Sequence, residues 1–276
     1  MSGPAALGLP LYARDAGSGT PLLLLHGLGA DHTIWNALIP LLSPSFRVLA
    51  PDLRGHGRSP APPQAAYGLE ELSGDVLALL ATKELDSAHV VGLSGGALLA
   101  LRLGLDHPER VRSVTLIGGA VYMDGHTRAV GERWEQTFAQ GGPDALALRL
   151  LKDLYYPDWI EAHLEIADRL RAEAPKMDWT GAVRWGRAMA TFDERDRVGT
   201  LRPPALIVQA MNDQVVDAAH GRILRQSIPG SRIRIFAETG HLVPVERPAE
   251  LAEAITAFVR EVEDQRGPGT APALSR

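Results

Sequence analysis

Short unbroken apolar runs alternate with longer stretches of helical spacing along most of the chain. Leu22-Leu23-Leu24-Leu25 has no polar interruption, as expected of a strand buried on both faces. Phe46–Ala50, His89–Val91, Val111–Ile117, Ala205–Gln209 and Arg232–Phe236 read as further strands. The first segment between strands carries Ile34, Trp35, Leu38, Ile39, Leu41 and Leu42 at helical spacing, with Asp31 or Thr33 available as its cap. Leu69–Lys83 shows the same spacing through Leu72, Val76, Leu79 and Leu80. Further helices are predicted from Ala97, near Ala218–Gln226 and near Ala249–Val262. Leu9–Asp15 is a short extended segment closed by the turn Gly17-Ser18-Gly19-Thr20. Strand and helix in alternation predict a mostly parallel α/β sheet joined by right-handed crossovers.

The alternation breaks between Tyr122 and Arg197, where no strand candidate occurs. Helix-like segments there are separated by Gly141-Gly142-Pro143, Pro157 and Pro175. The pattern predicts one α/β core (1–120 and 198–264), a helical insertion (121–197) after the sixth strand, and a disordered tail (265–276). The insertion holds nine of the fifteen aromatic residues: Tyr122, Trp134, Phe138, Tyr155, Tyr156, Trp159, Trp179, Trp185 and Phe192. They suit either the insertion's own core or an apolar pocket for a substrate.

Composition narrows the class. Hydrophobic content of 45% and charged content of 22% are ordinary for a globular protein. A net charge of −5 gives no reason to expect nucleic acid or an anionic membrane as partner. With no cysteine there is no disulfide, thiolate metal site or cysteine nucleophile. The first residues lack a basic segment followed by an apolar run, and no window approaches the ~20 apolar residues of a membrane span. These features lead us to expect a cytoplasmic protein. His32, His89, His107, His126, His163 and His220 fit no metal spacing, and the chain has neither a phosphate-binding loop nor a dinucleotide fingerprint. No metal and no cofactor are expected.

The stretch Val90-Val91-Gly92-Leu93-Ser94-Gly95-Gly96-Ala97 carries the candidate chemistry. It reads as a strand that turns once around a serine and becomes a helix, with the spacing G-x-S-x-G. Strand and helix pass too closely there for a Cβ, which accounts for the glycines. The turn leaves Ser94 strained and its hydroxyl exposed beside free helix N–H groups. Asp213 follows the Ala205–Gln209 strand and His241 follows the Arg232–Phe236 strand. All three lie at the same edge of a parallel sheet, in the order Ser, Asp, His. A serine hydroxyl needs a base, a histidine can take and return its proton, and a carboxylate fixes the histidine tautomer. The backbone N–H groups of Gly95 and Leu28 are the candidate oxyanion donors. His26 and His56 read as organisers of the glycine-rich loops in which they lie, Asp52 as serving its turn, and Asp217 as a helix cap. Glu132, Glu135, Glu161, Glu165 and Asp168 read as solvated helix faces.

His26-Gly27-Leu28-Gly29, Asp52-Leu53-Arg54-Gly55-His56-Gly57-Arg58-Ser59, Gly92-Leu93-Ser94-Gly95-Gly96, Asp213 and Gly240-His241 together resemble the α/β-hydrolase superfamily. The resemblance is to its branch of small esterases, enol-lactone hydrolases and carbon–carbon bond hydrolases. It implies the α/β-hydrolase fold, a Ser94–Asp213–His241 triad and a lid formed by the insertion. The activity implied is hydrolysis of a carboxylic ester or lactone of a small apolar or aromatic substrate through an acyl-enzyme on Ser94, by a monomer or homodimer. Carbon–carbon bond hydrolase, perhydrolase, acyltransferase and small-molecule sensor are the alternatives on this fold. Dehalogenases and epoxide hydrolases of the fold are disfavoured, because they have an aspartate where Ser94 stands. Asp124 is the second candidate for the acid, since it follows the Val111–Ile117 strand, where some relatives place it. Two departures stand out. Relatives usually carry a bulky residue, often methionine, where this chain has Gly95, which predicts a pocket widened beside the nucleophile. The N-terminal stretch with Pro4 and Gly8 predicts a short or missing first edge strand.

Overall fold

The structure is a computed structural model that describes residues 8–174 and 179–267. Seven strands form one sheet: β1 (Ala13–Ala16), β2 (Pro21–Leu25), β3 (Arg47–Pro51), β4 (Ala88–Leu93), β5 (Val111–Ile117), β6 (Ala205–Ala210) and β7 (Arg232–Phe236). Their order is β1-β3-β2-β4-β5-β6-β7. β1 runs antiparallel to β3, and all other pairs are parallel. The unbroken apolar runs are explained by burial from both sides. Leu23, Leu25, Leu49 and Val90 face one core layer, while Leu22, Leu24, Val48 and Val91 face the other. The first layer is closed by α2 (Leu69–Thr82) and α3 (Gly95–Asp106), the second by α10 (Pro248–Arg266).

Several expected boundaries move. The helix expected after Asp31 is two short pieces, a 3₁₀ turn (His32–Trp35) and α1 (Ile39–Leu42). Asp31 accepts the Thr33 N–H as its cap, and Pro40, which lacks an N–H, prevents one continuous helix. The edge strand β1 has four residues, in keeping with a short N-terminal edge. Among the described residues the helical insertion follows the fifth strand of seven, one strand earlier than expected. α10 continues to Arg266, beyond the expected core boundary at 264, and stops at Gly267, whose φ is 76°. The rest of the expected tail lies outside the described residues, as do Pro4 and Pro175.

The insertion comprises α4 (Gly125–Leu154), α5 (Pro157–Ala162), α6 (Leu164–Glu173) and α7 (Trp179–Met189). α4 breaks at Gly142, where φ is 66° and Pro143 follows, as the Gly-Gly-Pro signal implied. α8 (Ala219–Ser227) and α9 (Val243–Glu246) complete the fold. Among the described residues no helix is long and apolar enough to cross a membrane.

Two histidines are built into the core. His89 on β4 lies between Ser113 Oγ, 2.7 Å from Nδ1, and Glu263, 3.2 Å from Nε2. Burial pushes it down to about 3, helped by the nearby Arg112 and Arg266 charges. His26, at the end of β2, is pushed down to about 3 by burial and by its neighbour His56. In the unfolded chain histidine titrates near ~6.5. Between those values the unfolded state binds more protons than the folded one, so stability is lost as pH falls. Urea denaturation midpoints should therefore decline from pH 6.5 to pH 5, above the range where most carboxylates titrate. His89→Gln should decline less steeply than wild type; parallel declines would remove His89 as a contributor.

Candidate active site

The turn from β4 into α3 leaves no room for side chains. A Cβ on Gly92 would lie 2.1 Å from Gly96 O, and one on Gly96 would lie 2.2 Å from Leu25 O. Ser94 sits between them at φ 54° and ψ −117°. That left-handed conformation costs a non-glycine residue on the order of 1–3 kcal/mol. It is held by the Ser94 N–H donating to Ile117 O (2.8 Å) and by Ser94 O accepting from Ala97 N (2.8 Å). Ser94 is partly exposed, and its hydroxyl has no hydrogen-bond partner among the described residues.

Asp213 and His241 meet at the far side of the same sheet edge. His241 Nδ1 is 2.7 Å from Asp213 Oδ2, and both side chains are buried. A carboxylate only accepts, so the proton lies on Nδ1 and leaves Nε2 as an acceptor. The other Asp213 oxygen accepts the N–H groups of Val215 (2.8 Å) and Val216 (2.9 Å), which fixes the carboxylate plane. Gly118, just past β5, has φ 54°, and a Cβ there would lie 3.0 Å from His241 Cε1. Ile117, the residue before it, holds the Ser94 N–H, so the histidine ring and the serine turn flank one short segment. The ends of β4, β5, β6 and β7 thus bring the three expected residues to one place. A Ser94–His241 hydrogen bond is not formed, whereas the Asp213–His241 bond is.

The N–H groups of Leu28 and Gly95 donate to no described group. Two histidines shape the Leu28 loop. His26 Nδ1 donates to Gly27 O (2.8 Å) and its Nε2 accepts from Leu53 N (2.9 Å). His56 Nε2 accepts from Gly29 N (3.2 Å), and its Nδ1 donates to Arg54 O (3.0 Å). Both rings spend their nitrogens on backbone groups, which matches their expected part as loop organisers. Asp52 likewise serves its turn, accepting from Arg58 N (2.8 Å) and His32 N (2.7 Å).

Other expectations change. The space beside Gly95 is filled rather than widened. A Cβ there would lie 3.1 Å from Cζ2 and Cη2 of Trp185 and 3.2 Å from Met189 Sδ. α7 covers the position because Gly181 and Gly55 allow backbone-to-backbone contact between the insertion and the core. Asp124, the second candidate for the acid, does not meet His241. It caps α4 by accepting from Thr127 N (2.8 Å) and pairs with His220 Nε2 (3.1 Å). Asp217 accepts from Ala219 N (2.7 Å) at the start of α8, as expected of a cap.

Glu246 is a residue that sequence reasoning missed. It is buried on α9, and its two oxygens accept the Gly240 N–H at 3.2 and 3.0 Å, directly before His241. It also accepts from Tyr156 N (3.3 Å), and burial pushes its carboxyl up. An acidic residue five places after a histidine belongs to no motif, so no local signal marks it.

Asp31, His32 and Asp52 form one cluster with metal-ligand geometry among the described residues, with atoms within 4.8 Å of one another. Its oxygens already accept from His32, Thr33 and Arg58. A cleft of about 460 Å³ lined by Tyr122, Asp124, Arg128, Asp193 and Arg195 lies where the insertion leaves and rejoins the core, and none of Ser94, Asp213 and His241 lines it.

Known proteins with this architecture are numerous. A putative carbamate hydrolase, RutD, from Azorhizobium caulinodans is 28% identical over 92% of this chain and 96% of its own length. The 2-hydroxymuconate semialdehyde hydrolase of Pseudomonas sp. strain CF600 is 28% identical over 94% of this chain and 93% of its own. The crystal structure of the enol-lactonase from Burkholderia xenovorans LB400 superposes with a TM-score of 0.83 at 30% identity, covering 91% of this chain and 96% of that one. Residues 20–248 match the family described as the alpha/beta hydrolase fold. A seven-stranded, mostly parallel sheet with a serine turn after β4, matched to that family over most of its length, places this chain in the alpha/beta hydrolase fold family as a hydrolase.

Proposed function

We propose that the chain is a serine hydrolase that cleaves a carboxylic ester or lactone of a small apolar or aromatic substrate. The observation that carries this reading is the buried Asp213–His241 hydrogen bond at the sheet edge where Ser94 stands strained and unbonded. Asp213 holds the Nδ1–H tautomer, so His241 Nε2 can take the Ser94 proton as Oγ attacks the carbonyl carbon. The carbonyl oxygen becomes an oxyanion between the Leu28 and Gly95 N–H groups. His241 then gives its proton to the departing alkoxide, leaving an acyl-enzyme on Ser94. Water, deprotonated by His241, releases the acid and restores the serine. The Ser94–His241 hydrogen bond forms when substrate binds, since such bonds are often long in an unliganded site.

In this reading residues 1–120 and 198–264 form the catalytic core and 121–197 the lid. α7 lies against Gly29, Gly55 and Gly95, three core positions at the carboxyl edge of the sheet. Hydrolysis of a carbon–carbon bond beside a ketone is the second reading, favoured by the likeness to the 2-hydroxymuconate semialdehyde hydrolase. Diketone turnover without ester turnover would choose it.

Steady-state hydrolysis of p-nitrophenyl esters of increasing acyl length, with a lactone alongside, tests the main reading. Ser94→Ala should lower kcat/KM by at least about 10³-fold, and equal rates in variant and wild type would remove Ser94 as nucleophile. Asp213→Asn retains the acceptor for Val215 and Val216 but presents an amide to His241. It should cost about 10⁴-fold in kcat through the wrong tautomer, with a melting temperature close to that of wild type. A loss of less than tenfold would place the acid elsewhere.

A further inference from the structure

The position beside the nucleophile is walled by the insertion. Trp185 and Met189, one turn apart on α7, occupy the space that a side chain on Gly95 would fill. Trp185 is fully buried. Its ring stands edge-on to His26 at 6.2 Å and to His56 at 5.6 Å, the two histidines that shape the Leu28 loop. The next residue, Gly186, comes against the Leu28 side chain, where an added Cβ would lie 3.6 Å from Cδ2. α7 therefore touches both residues whose N–H groups are the candidate oxyanion donors, Gly95 through Trp185 and Leu28 beside Gly186.

The indole N–H adds a chemical property to this wall. Nε1 is two bonds from Cζ2, the atom that meets Gly95, and it is buried with no acceptor. An indole nitrogen can only donate, and a buried donor left unpaired is unfavourable. The helix that carries it is held in place. Tyr67 N donates to Arg184 O (3.1 Å), and Arg184 donates to Pro62 O (2.9 Å) and Tyr67 Oη (3.0 Å). The donor is thus held close to the serine turn and sealed from solvent, so a substrate oxygen reaches it when the acyl group displaces the edge of this packing.

We propose that Trp185 is a specificity-determining residue: its ring forms the acyl-side wall beside Gly95, and its indole N–H donates to a second oxygen on the acyl part of the substrate. The substrate class is short, otherwise apolar acyl groups bearing one hydroxyl or oxo oxygen close to the scissile carbonyl. The proposal rests on the serine-hydrolase reading above.

The test uses the p-nitrophenyl esters of butanoate, 3-hydroxybutanoate and octanoate, with wild type, Ser94→Ala, Trp185→Phe and Trp185→Ala. Trp185→Phe removes the N–H and keeps most of the bulk. It should lower kcat/KM for the 3-hydroxybutanoyl ester about tenfold relative to the butanoyl ester, the worth of one hydrogen bond. Trp185→Ala removes the wall and should raise octanoate relative to butanoate. Each readout is a ratio within one variant, so partial loss of folded protein cancels. An unchanged 3-hydroxybutanoate ratio in Trp185→Phe overturns the donor role, and an unchanged octanoate ratio in Trp185→Ala overturns the wall. Turnover that survives in Ser94→Ala overturns the serine reading itself. Turnover lost in Ser94→Ala with unchanged ratios overturns only the part assigned to Trp185.

Discussion

The close approach of α3 to β2 and β4 is the constraint on which the rest of the site depends. Carbonyl oxygens of Gly96 and Leu25 stand 2.1 and 2.2 Å from where side chains on Gly92 and Gly96 would begin. Backbone packed this tightly admits one way through the turn, with Ser94 at positive φ. The same geometry starts α3 at Gly95 and leaves that N–H without an intrahelical acceptor. It also sets the Leu28 loop, which follows directly from β2, beside the turn: an added Cβ on Gly27 would lie 3.1 Å from Ser94 Cβ. A substitution at Gly92 or Gly96 would displace Ser94 and the N–H groups of Gly95 and Leu28 together.

Hydrogen-bond bookkeeping separates the histidines by their chemistry. His26 and His56 use both ring nitrogens on backbone groups, so neither has a free site for proton transfer. His241 has one nitrogen on a buried carboxylate and the other open. His220 also pairs with a carboxylate, Asp124, but its Nδ1 is buried without a partner and its carboxylate is occupied in capping α4. An Asp–His pair alone does not define a site; the pair must lie at the sheet edge that also presents the serine.

Much of this was legible in the sequence, because the signals are local. Apolar runs of strand length mark β2 to β6, and the short segment Arg232–Phe236 marks β7, to within about two residues. Ser94, Asp213 and His241 follow three of those strands, and the sheet collects them without help from distant residues. The packing of the insertion was not legible. Helical spacing shows which face of a segment is apolar and leaves open what covers it. Gly95 therefore suggested open space, whereas Trp185, ninety positions later, closes it. The aromatic residues of the insertion divide in the same way. Trp185 and Phe192 are buried in the core layer of α2 and α3, while Tyr155 and Trp159 belong to the opposite layer, where Trp159 stacks on Tyr155 and on His163. Glu246 escaped notice because its partners, Gly240 and Tyr156, come together only in three dimensions.

The insertion meets both halves of the site through different chemistry. Beside Gly95 the contact is steric: α7 presses Trp185 on Gly95 and Gly181 on Gly55. Beside His241 it is polar: Leu242 N donates to Leu154 O (3.2 Å), and Glu246 accepts from both Gly240 N and Tyr156 N. His241 lies between two residues whose N–H groups are held in this way, one by α9 and one by the end of α4. The α7 contacts with Gly95 and Gly55 do not involve the residues that hold His241. The α4–α5 junction bonds Leu242 and Glu246 and supplies none of the atoms nearest a Cβ on Gly95. The insertion is thus attached at two separate places, by steric contact of α7 beside Gly95 and by hydrogen bonds of the Leu154–Tyr156 junction on either side of His241.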